Sequence, residues 1–359
     1  MKRFLHTLLA VTLLLASSLP RAQGQQDWLE STPAERGMNA ELLAQLRQRL
    51  ESSAPHIRSV LVVRNDRLVF EYYGQGLGRT DLHVVNSVTK SVLSSLVGIA
   101  LREKLINDLD QKISTWLPEA LAPDADPKAR NITLRHLLTM TAGFDWDEQA
   151  RDTCFAARTA SCDRFNDRGD PLNFALRRPV TSEPGTVFRY DSHSSQLLSV
   201  ILSRATGMSA AKFAEKHLAP ALGVTRYQWA SDAQGHSRGG FGLQLTARDM
   251  AKFGALYLHG GRWAGQQVIP ADFAEASVRQ QSTGGYPWPA WARYGYQWWV
   301  LPDPGGPASY AANGLGGQYI YVVPSSELVV VITSRPDERR DTAGIVREYV
   351  LPALRPRQP

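Results

Sequence analysis

Between Ser91 and Leu101 the chain carries no charged side chain. Val88, Val92, Leu96 and Ile99 recur at helical spacing, and Leu93, Val97 and Leu101 widen that stripe. A helix apolar nearly all round has to be covered on every side, so a fold containing it must be built around it. Asn86-Ser87-Val88-Thr89-Lys90 leads into this run and puts a serine and a lysine at its head. Ser87 and Lys90 are three positions apart, a rise of about 4.5 Å that returns to nearly the same helix face. Their hydroxyl and amine can therefore meet. Burial lowers the pKa of a lysine and frees its amine to act as a base. The helix N-terminus adds unpaired N–H groups and partial positive charge where an oxyanion would form. Together these are the requirements of a serine nucleophile activated by lysine.

The four-residue pattern alone is not specific. Ser209-Ala210-Ala211-Lys212 has it too. That serine follows Thr206-Gly207-Met208 and opens a helix in polar surroundings, which predicts an N-cap.

Residues 1–24 read as a secretory leader. Lys2 and Arg3 form a basic start, residues 8–15 an apolar run too short to span a bilayer, and Ala22-Gln23-Gly24 a small-residue cleavage site. A periplasmic or secreted location follows, with no stable membrane insertion. Loss of Lys2, Arg3 and Arg21 would lower the formal net charge of +6 by three. The other charges are mixed in sign along the chain, which argues against a nucleic-acid partner. The two cysteines, Cys154 and Cys162, are a disulfide candidate once exported, bracing a short local loop. The eight histidines are scattered, and no Cys or His cluster has metal-ligand spacing, so neither metal nor cofactor is expected.

Along the chain, Asn39 is placed to cap a helix carrying Leu42, Leu43, Leu46 and Leu50. Residues 59–63 and 67–73 read as strands joined at Asn65-Asp66. From about 104 to 225 the pattern is mainly helical, with Thr133 opening a short helix. Residues 147–179 look polar and irregular, as functional loops often do. Thr246 and Asp249 form a capping-box pattern. Residues 294–300, 318–323 and 328–333 read as strands, and a last helix is expected from about 340. Strands at both ends and helices between them predict an α+β fold: one antiparallel sheet built from both chain ends and flanked by helices, with a mainly helical insertion. The expected division is a leader at 1–24, a discontinuous sheet domain at 25–86 and 240–359, and a helical domain at 87–239.

A second informative stretch runs through Glu183-Pro184-Gly185 to Tyr190-Asp191-Ser192, a turn followed by a tyrosine and a new helix. Taken with Ser87-Val88-Thr89-Lys90, Leu137-Leu138-Thr139-Met140-Thr141-Ala142-Gly143, Leu245-Thr246-Ala247-Arg248-Asp249-Met250 and Gly314-Leu315-Gly316-Gly317-Gln318, it gives an ordered set of motifs over about residues 30–355. In order and spacing the chain resembles the serine beta-lactamase and penicillin-binding-protein superfamily. Within it, the likeness is to the class C-like branch with esterases and 6-aminohexanoate-dimer (nylon oligomer) hydrolases. The resemblance implies Ser87 as nucleophile, Lys90 as its base and Tyr190 as proton relay to the leaving group. It implies an oxyanion hole from the backbone N–H groups of Ser87 and Gln318, and an acyl-enzyme released by water. Substrate contacts would come from Asp145, Trp146, Ser192, Leu315, Gly316 and Gly317. The partner implied is a small-molecule ester or amide; which of the two, and the oligomeric state, stay open.

The second motif departs from the family's frequent Tyr-x-Asn, since Ser192 stands third. The third motif, Lys-Thr-Gly or His-Thr-Gly in lactam-processing members, is Leu315-Gly316-Gly317. A leucine cannot make the charge-assisted bond to a substrate carboxylate. This counts against a D,D-peptidase acting on cell-wall peptides. The alternative is nonetheless a penicillin-recognising D,D-peptidase or a sensor-type protein that acylates without efficient turnover. Gly235-His236-Ser237-Arg238-Gly239 fits the G-x-S-x-G of another hydrolase fold, but no apolar strand precedes it and more glycine follows. The lost cation predicts poor beta-lactam turnover. A spectrophotometric assay of cephalosporin hydrolysis checks this, and efficient hydrolysis by the purified protein would contradict it.

Overall fold

Asn39 caps α1 (Ala40–Ser53), its side chain accepting from the N–H groups of Glu41 and Leu42. The chain then turns into β1 (Ile57–Arg64) and β2 (Arg67–Tyr73). The hairpin turn between them holds Asn65 and Asp66 at φ +48° and +56°, a left-handed pair that these two residue types tolerate and that suits strand twist. This computed structural model describes residues 27–157, 169–286, 291–302, 308–336 and 342–354. The leader read at 1–24 and Cys162 lie outside the described residues.

After β3 (His83–Val84) comes α2 (Val88–Arg102), the charge-poor helix, buried from Val88 to Ala100. Around it lie α3 (Leu134–Leu138), α4 (Glu148–Ala157), α5 (Pro171–Leu176), α6 (Ser192–Thr206), α7 (Ala210–His217) and α8 (Ala219–Leu222). The chain returns through β4 (Gln228–Trp229), β5 (Leu243–Leu245), α9 (Ala247–Leu258), β6 (Arg262–Trp263), β7 (Gln266–Gln267) and α10 (Ala271–Ser277). It closes with β8 (Arg293–Tyr294), β9 (Trp299–Leu301), β10 (Ser309–Gly314), β11 (Gln318–Val323), β12 (Leu328–Ser334) and α11 (Leu351–Ala353).

One seven-stranded sheet, in the order β2-β1-β12-β11-β10-β9-β8, joins the two ends of the chain. Every pairing in it is antiparallel, with Val62 opposite Val330 at the β1–β12 seam. The α+β fold expected from strands at the chain ends is the fold observed. Strand alternation sorts the seam onto two cores. Leu61, Val63, Val329 and Val331 face the core shared with α2, α6 and α9. Val60, Val62, Val330 and Ile332 face the other side, against Leu43, Leu46 and Leu50 of α1 and Val346 and Val350 near the C-terminus. Burying each such aliphatic side chain contributes roughly 1.5–3 kcal/mol, so the central strands, buried on both faces, are the fixed frame.

Two local expectations need correction, and the expected last helix is present but begins later and is partly π-helical. Residues 294–300 are not one strand: Gly295 donates to the Trp298 carbonyl at 2.8 Å, and the turn separates β8 from β9. Gln297 sits in that turn at φ +61°, which no continuous strand allows. Residues 147–179 are not wholly irregular. Asp147 caps α4 by accepting from the Ala150 N–H at 2.8 Å, and Asp170 caps α5 by accepting from that of Asn173 at 3.2 Å. The last helix is a π-helical turn over Val346–Val350 that runs into α11.

Candidate active site

Ser87 is the residue before the first turn of α2, and its side chain makes no capping bond. The hydroxyl is instead 2.9 Å from Lys90 Nζ. Lys90 is 1% exposed, and its amine donates also to Ser192 Oγ at 3.0 Å and to the Gly240 carbonyl at 2.8 Å. Burial pushes the amine down to about 8, partly offset by the negative charge of Glu148. A hydrogen-bonded but desolvated amine is thus held beside the hydroxyl.

Gly240 reaches the lysine because it has no side chain: a Cβ there would lie 2.9 Å from the Ser192 carbonyl. The other members come from the start of α6. Tyr190 is buried, stacked on Trp299 with centroids 5.6 Å apart, and has Lys90 Nζ 4.9 Å from its ring centre. Burial drives its hydroxyl pKa well above the usual tyrosine value, against the effect of a hydrogen bond with Ser87. Asp191 caps α6 through the His193 N–H and accepts from Arg178 Nη2 at 2.8 Å and Ser194 Oγ at 2.8 Å. Burial acts to raise its pKa, but the Arg178 charge and the hydrogen bonds hold the carboxyl far below the usual range. Arg178 in turn lies 4.9 Å over the rings of Phe144 and Trp146.

The hairpin between β10 and β11 lies against the Ser87 turn. A Cβ on Gly314 would meet the Val85 carbonyl at 2.2 Å, and Asn86 Nδ2 donates to the Leu315 carbonyl at 2.7 Å. Asn86 is at φ +46°, which turns the chain into α2. Leu315 is 42% exposed at the tip, and Gln318 is fully buried, its side-chain amide bonded to Ser334. Gly316 and Gly317 have φ +82° and +85°. A Cβ on either would meet this chain's own atoms, at 2.8 Å from the Arg335 carbonyl and 2.4 Å from Thr342 Oγ1. These contacts within the chain account for both glycines.

Of the other residues singled out from sequence, Ser192 is in the cluster itself. Trp146 is buried and donates its indole N–H to Glu148, reaching the cluster through that carboxylate. Asp145 is exposed and paired with Arg189 at 3.4 Å. Cys154, on α4, is disulfide-bonded. Ser209 caps α7 by accepting from the Lys212 N–H at 3.3 Å. Ser237 is buried, and its hydroxyl accepts from the Ala211 N–H at 3.0 Å. No group of three or more metal-ligating side chains is found among the described residues, and no helix among them is long and apolar enough to cross a membrane.

Sequence reasoning missed two members. Glu148, 6% exposed, accepts from the Ser192 hydroxyl on Oε1 and from the Ser192 N–H on Oε2 at 3.2 Å. An aspartate followed by a glutamate in a first helical turn was the signal available for it. Gln297 receives Ser91 on its carbonyl at 2.6 Å and Ser195 on Oε1 at 2.7 Å, and its amide donates to Leu137 and Leu138. It ties α2, α3 and α6 together, and nothing in its sequence neighbourhood marks it.

A buried lysine bonded to a serine at the head of the central helix, with a tyrosine from the stretch just before α6 beside them, is the arrangement a serine–lysine hydrolase requires. The Beta-lactamase family profile matches residues 41–351, so the chain belongs to the beta-lactamase family, as one of its serine hydrolases. It is 27% identical over 327 residues to a 6-aminohexanoate-dimer hydrolase of Paenarthrobacter ureafaciens, covering 86% of this chain and 80% of that protein. It is 28% identical to Esterase EstB of Burkholderia gladioli over 46% of this chain and 43% of the esterase. The fold is shared with an octameric penicillin-binding protein homologue from Pyrococcus abyssi (TM-score 0.70, 15% identity, 89% of this chain and 78% of that one). It is shared also with EstCE1, a hydrolase with promiscuous acyltransferase activity (TM-score 0.70, 17% identity, 88% and 98%).

Arg178→Met would leave Asp191 buried without its cation and should cost about 3–5 kcal/mol of stability. Adding Asp191→Asn, which removes the stranded charge, should recover much of it. Urea unfolding of both variants checks this; an unchanged midpoint for Arg178→Met would contradict it.

Proposed function

We propose that the chain is an exported serine hydrolase that cleaves an ester or amide through an acyl-enzyme on Ser87. The observation that carries this is Lys90 Nζ, buried and 2.9 Å from the Ser87 hydroxyl. Ser87 Oγ attacks the substrate carbonyl carbon as its proton passes to the neutral Lys90 amine. The backbone N–H groups of Ser87 and Gln318 take the oxyanion. As the carbon–oxygen or carbon–nitrogen bond breaks, the leaving group takes a proton relayed by Tyr190. Water then attacks the acyl carbon, with Lys90 and Tyr190 as the groups at hand to receive its proton, and Ser87 is restored.

The relatives' names support both bond types, an amide from the 6-aminohexanoate-dimer hydrolase and an ester from the esterase. Short linear amides and simple esters are therefore the substrates to try first. Substrate selection is assigned to the surroundings of Asp145 and Trp146 and to the Leu315–Gly316–Gly317 tip. The division into a sheet domain at 25–86 and 240–359 and a helical domain at 87–239 belongs to the same proposal, with the catalytic groups where the two meet.

Only the neutral amine can take the Ser87 proton, so kcat/KM should rise with pH through about 8, the value to which burial brings Lys90. Below that it should fall by roughly tenfold per pH unit, as for a single essential base. Tyr190 titrates too high to add an alkaline limb in the usual range. Lys90→Met and Tyr190→Phe should each slow p-nitrophenyl butyrate hydrolysis by roughly 10²–10⁴-fold. The pH–rate profile and the two variants check this. A wild-type rate in Lys90→Met would defeat the base assignment, and one in Tyr190→Phe would defeat the relay.

A further inference from the structure

Glu148 is a buried carboxylate to which the mechanism above gives no work. Its position follows from donors. The Trp146 indole and the Ser192 backbone N–H both donate to Oε2, and the Ser192 hydroxyl donates to Oε1. As a carboxylate it can only accept. A serine hydroxyl has one hydrogen; spent on Glu148, it leaves Ser192 Oγ only lone pairs to offer to Lys90. The Gly240 carbonyl likewise can only accept. A neutral lysine amine has two N–H groups and one lone pair. Its three neighbours are Ser192 Oγ at 3.0 Å, the Gly240 carbonyl at 2.8 Å and Ser87 Oγ at 2.9 Å. Two of these demand an N–H, so the lone pair is left for the third.

We infer that Glu148 is a positioning residue: by fixing the direction of the Ser192 hydroxyl, it aims the lone pair of the Lys90 amine at the Ser87 hydroxyl. The inference rests on the serine–lysine reading above. The same frame also fits the state after proton transfer. The ammonium then has three N–H groups for the same three oxygens, and nothing has to turn. If the carboxylate becomes an amide, its NH₂ can donate to Ser192 Oγ. The hydroxyl hydrogen is then released toward the lysine lone pair, and an N–H is presented to Ser87, the wrong polarity for a base.

The test compares acylation rates and pH profiles with p-nitrophenyl butyrate for the wild type, Glu148→Gln, Ser192→Ala and the double variant, with Ser87→Ala as the blank. Glu148→Gln and Ser192→Ala should each lose about 10- to 100-fold in kcat with KM little changed, an orientation loss. Because both act through one hydroxyl, the double variant should be no slower than the slower single one. Glu148→Gln should also move the acidic limb to lower pH, since Lys90 loses a negative neighbour while Arg151, Asp152 and Asp191 still face it. Should Glu148→Gln fail to fold, judged by its thermal midpoint, Ser192→Ala carries the same test. A wild-type acylation rate in Ser192→Ala, a wild-type rate and unmoved limb in Glu148→Gln, or losses that multiply in the double variant, would overturn the role of Glu148. Activity retained in Ser87→Ala would instead defeat the serine–lysine reading itself.

Discussion

The structure depends on keeping one amine dry. Lys90 stands at the head of a helix with almost no polar surface, and three oxygens receive its amine where water would otherwise do so. Burying an amine is costly unless its hydrogen bonds are replaced. Here every replacement comes from a different part of the chain: the α2 turn itself, the start of α6, and the glycine run before β5. The site is complete only when the whole fold is, so the geometry of the candidate site and tertiary packing are one constraint.

The sheet is what makes that constraint bearable. Its central strands are buried on both faces and give α2 a rigid floor, and Gly314 lets β10 press onto the backbone just before Ser87. On the other side, Gln297 links the helices that carry Ser91, Leu137 and Ser195, while Arg178 neutralises Asp191 between Tyr190 and Ser192. These polar groups are deeply buried and mutually bonded, so each fixes a neighbour rather than merely filling space.

Much of this was legible in the sequence where a local rule had no competitor. The charge-free run after Lys90 gave the buried helix, Asn65-Asp66 gave the hairpin turn, and Ser209 behaves as the cap its surroundings suggested. Elsewhere a non-local contact decided. Residues 294–300 are rich in the aromatic side chains that strands favour, yet Gln297 is turned inward to serve three other segments, and the strand breaks there. Glu148 lies in a polar stretch that looks like solvent-facing loop; only the folded chain brings it to Ser192, 44 positions away. Gly240 could be seen as a flexible residue, but not as a carbonyl delivered to a lysine.

The most direct measurement is the intact mass of the purified protein within milliseconds to seconds of mixing with p-nitrophenyl butyrate, alongside Ser87→Ala. A butyryl adduct that appears and decays with turnover, and is absent from Ser87→Ala, is the expected result. A wild type that turns over the ester with no adduct, or an adduct that persists in Ser87→Ala, would contradict an acyl-enzyme on the serine that Lys90 addresses.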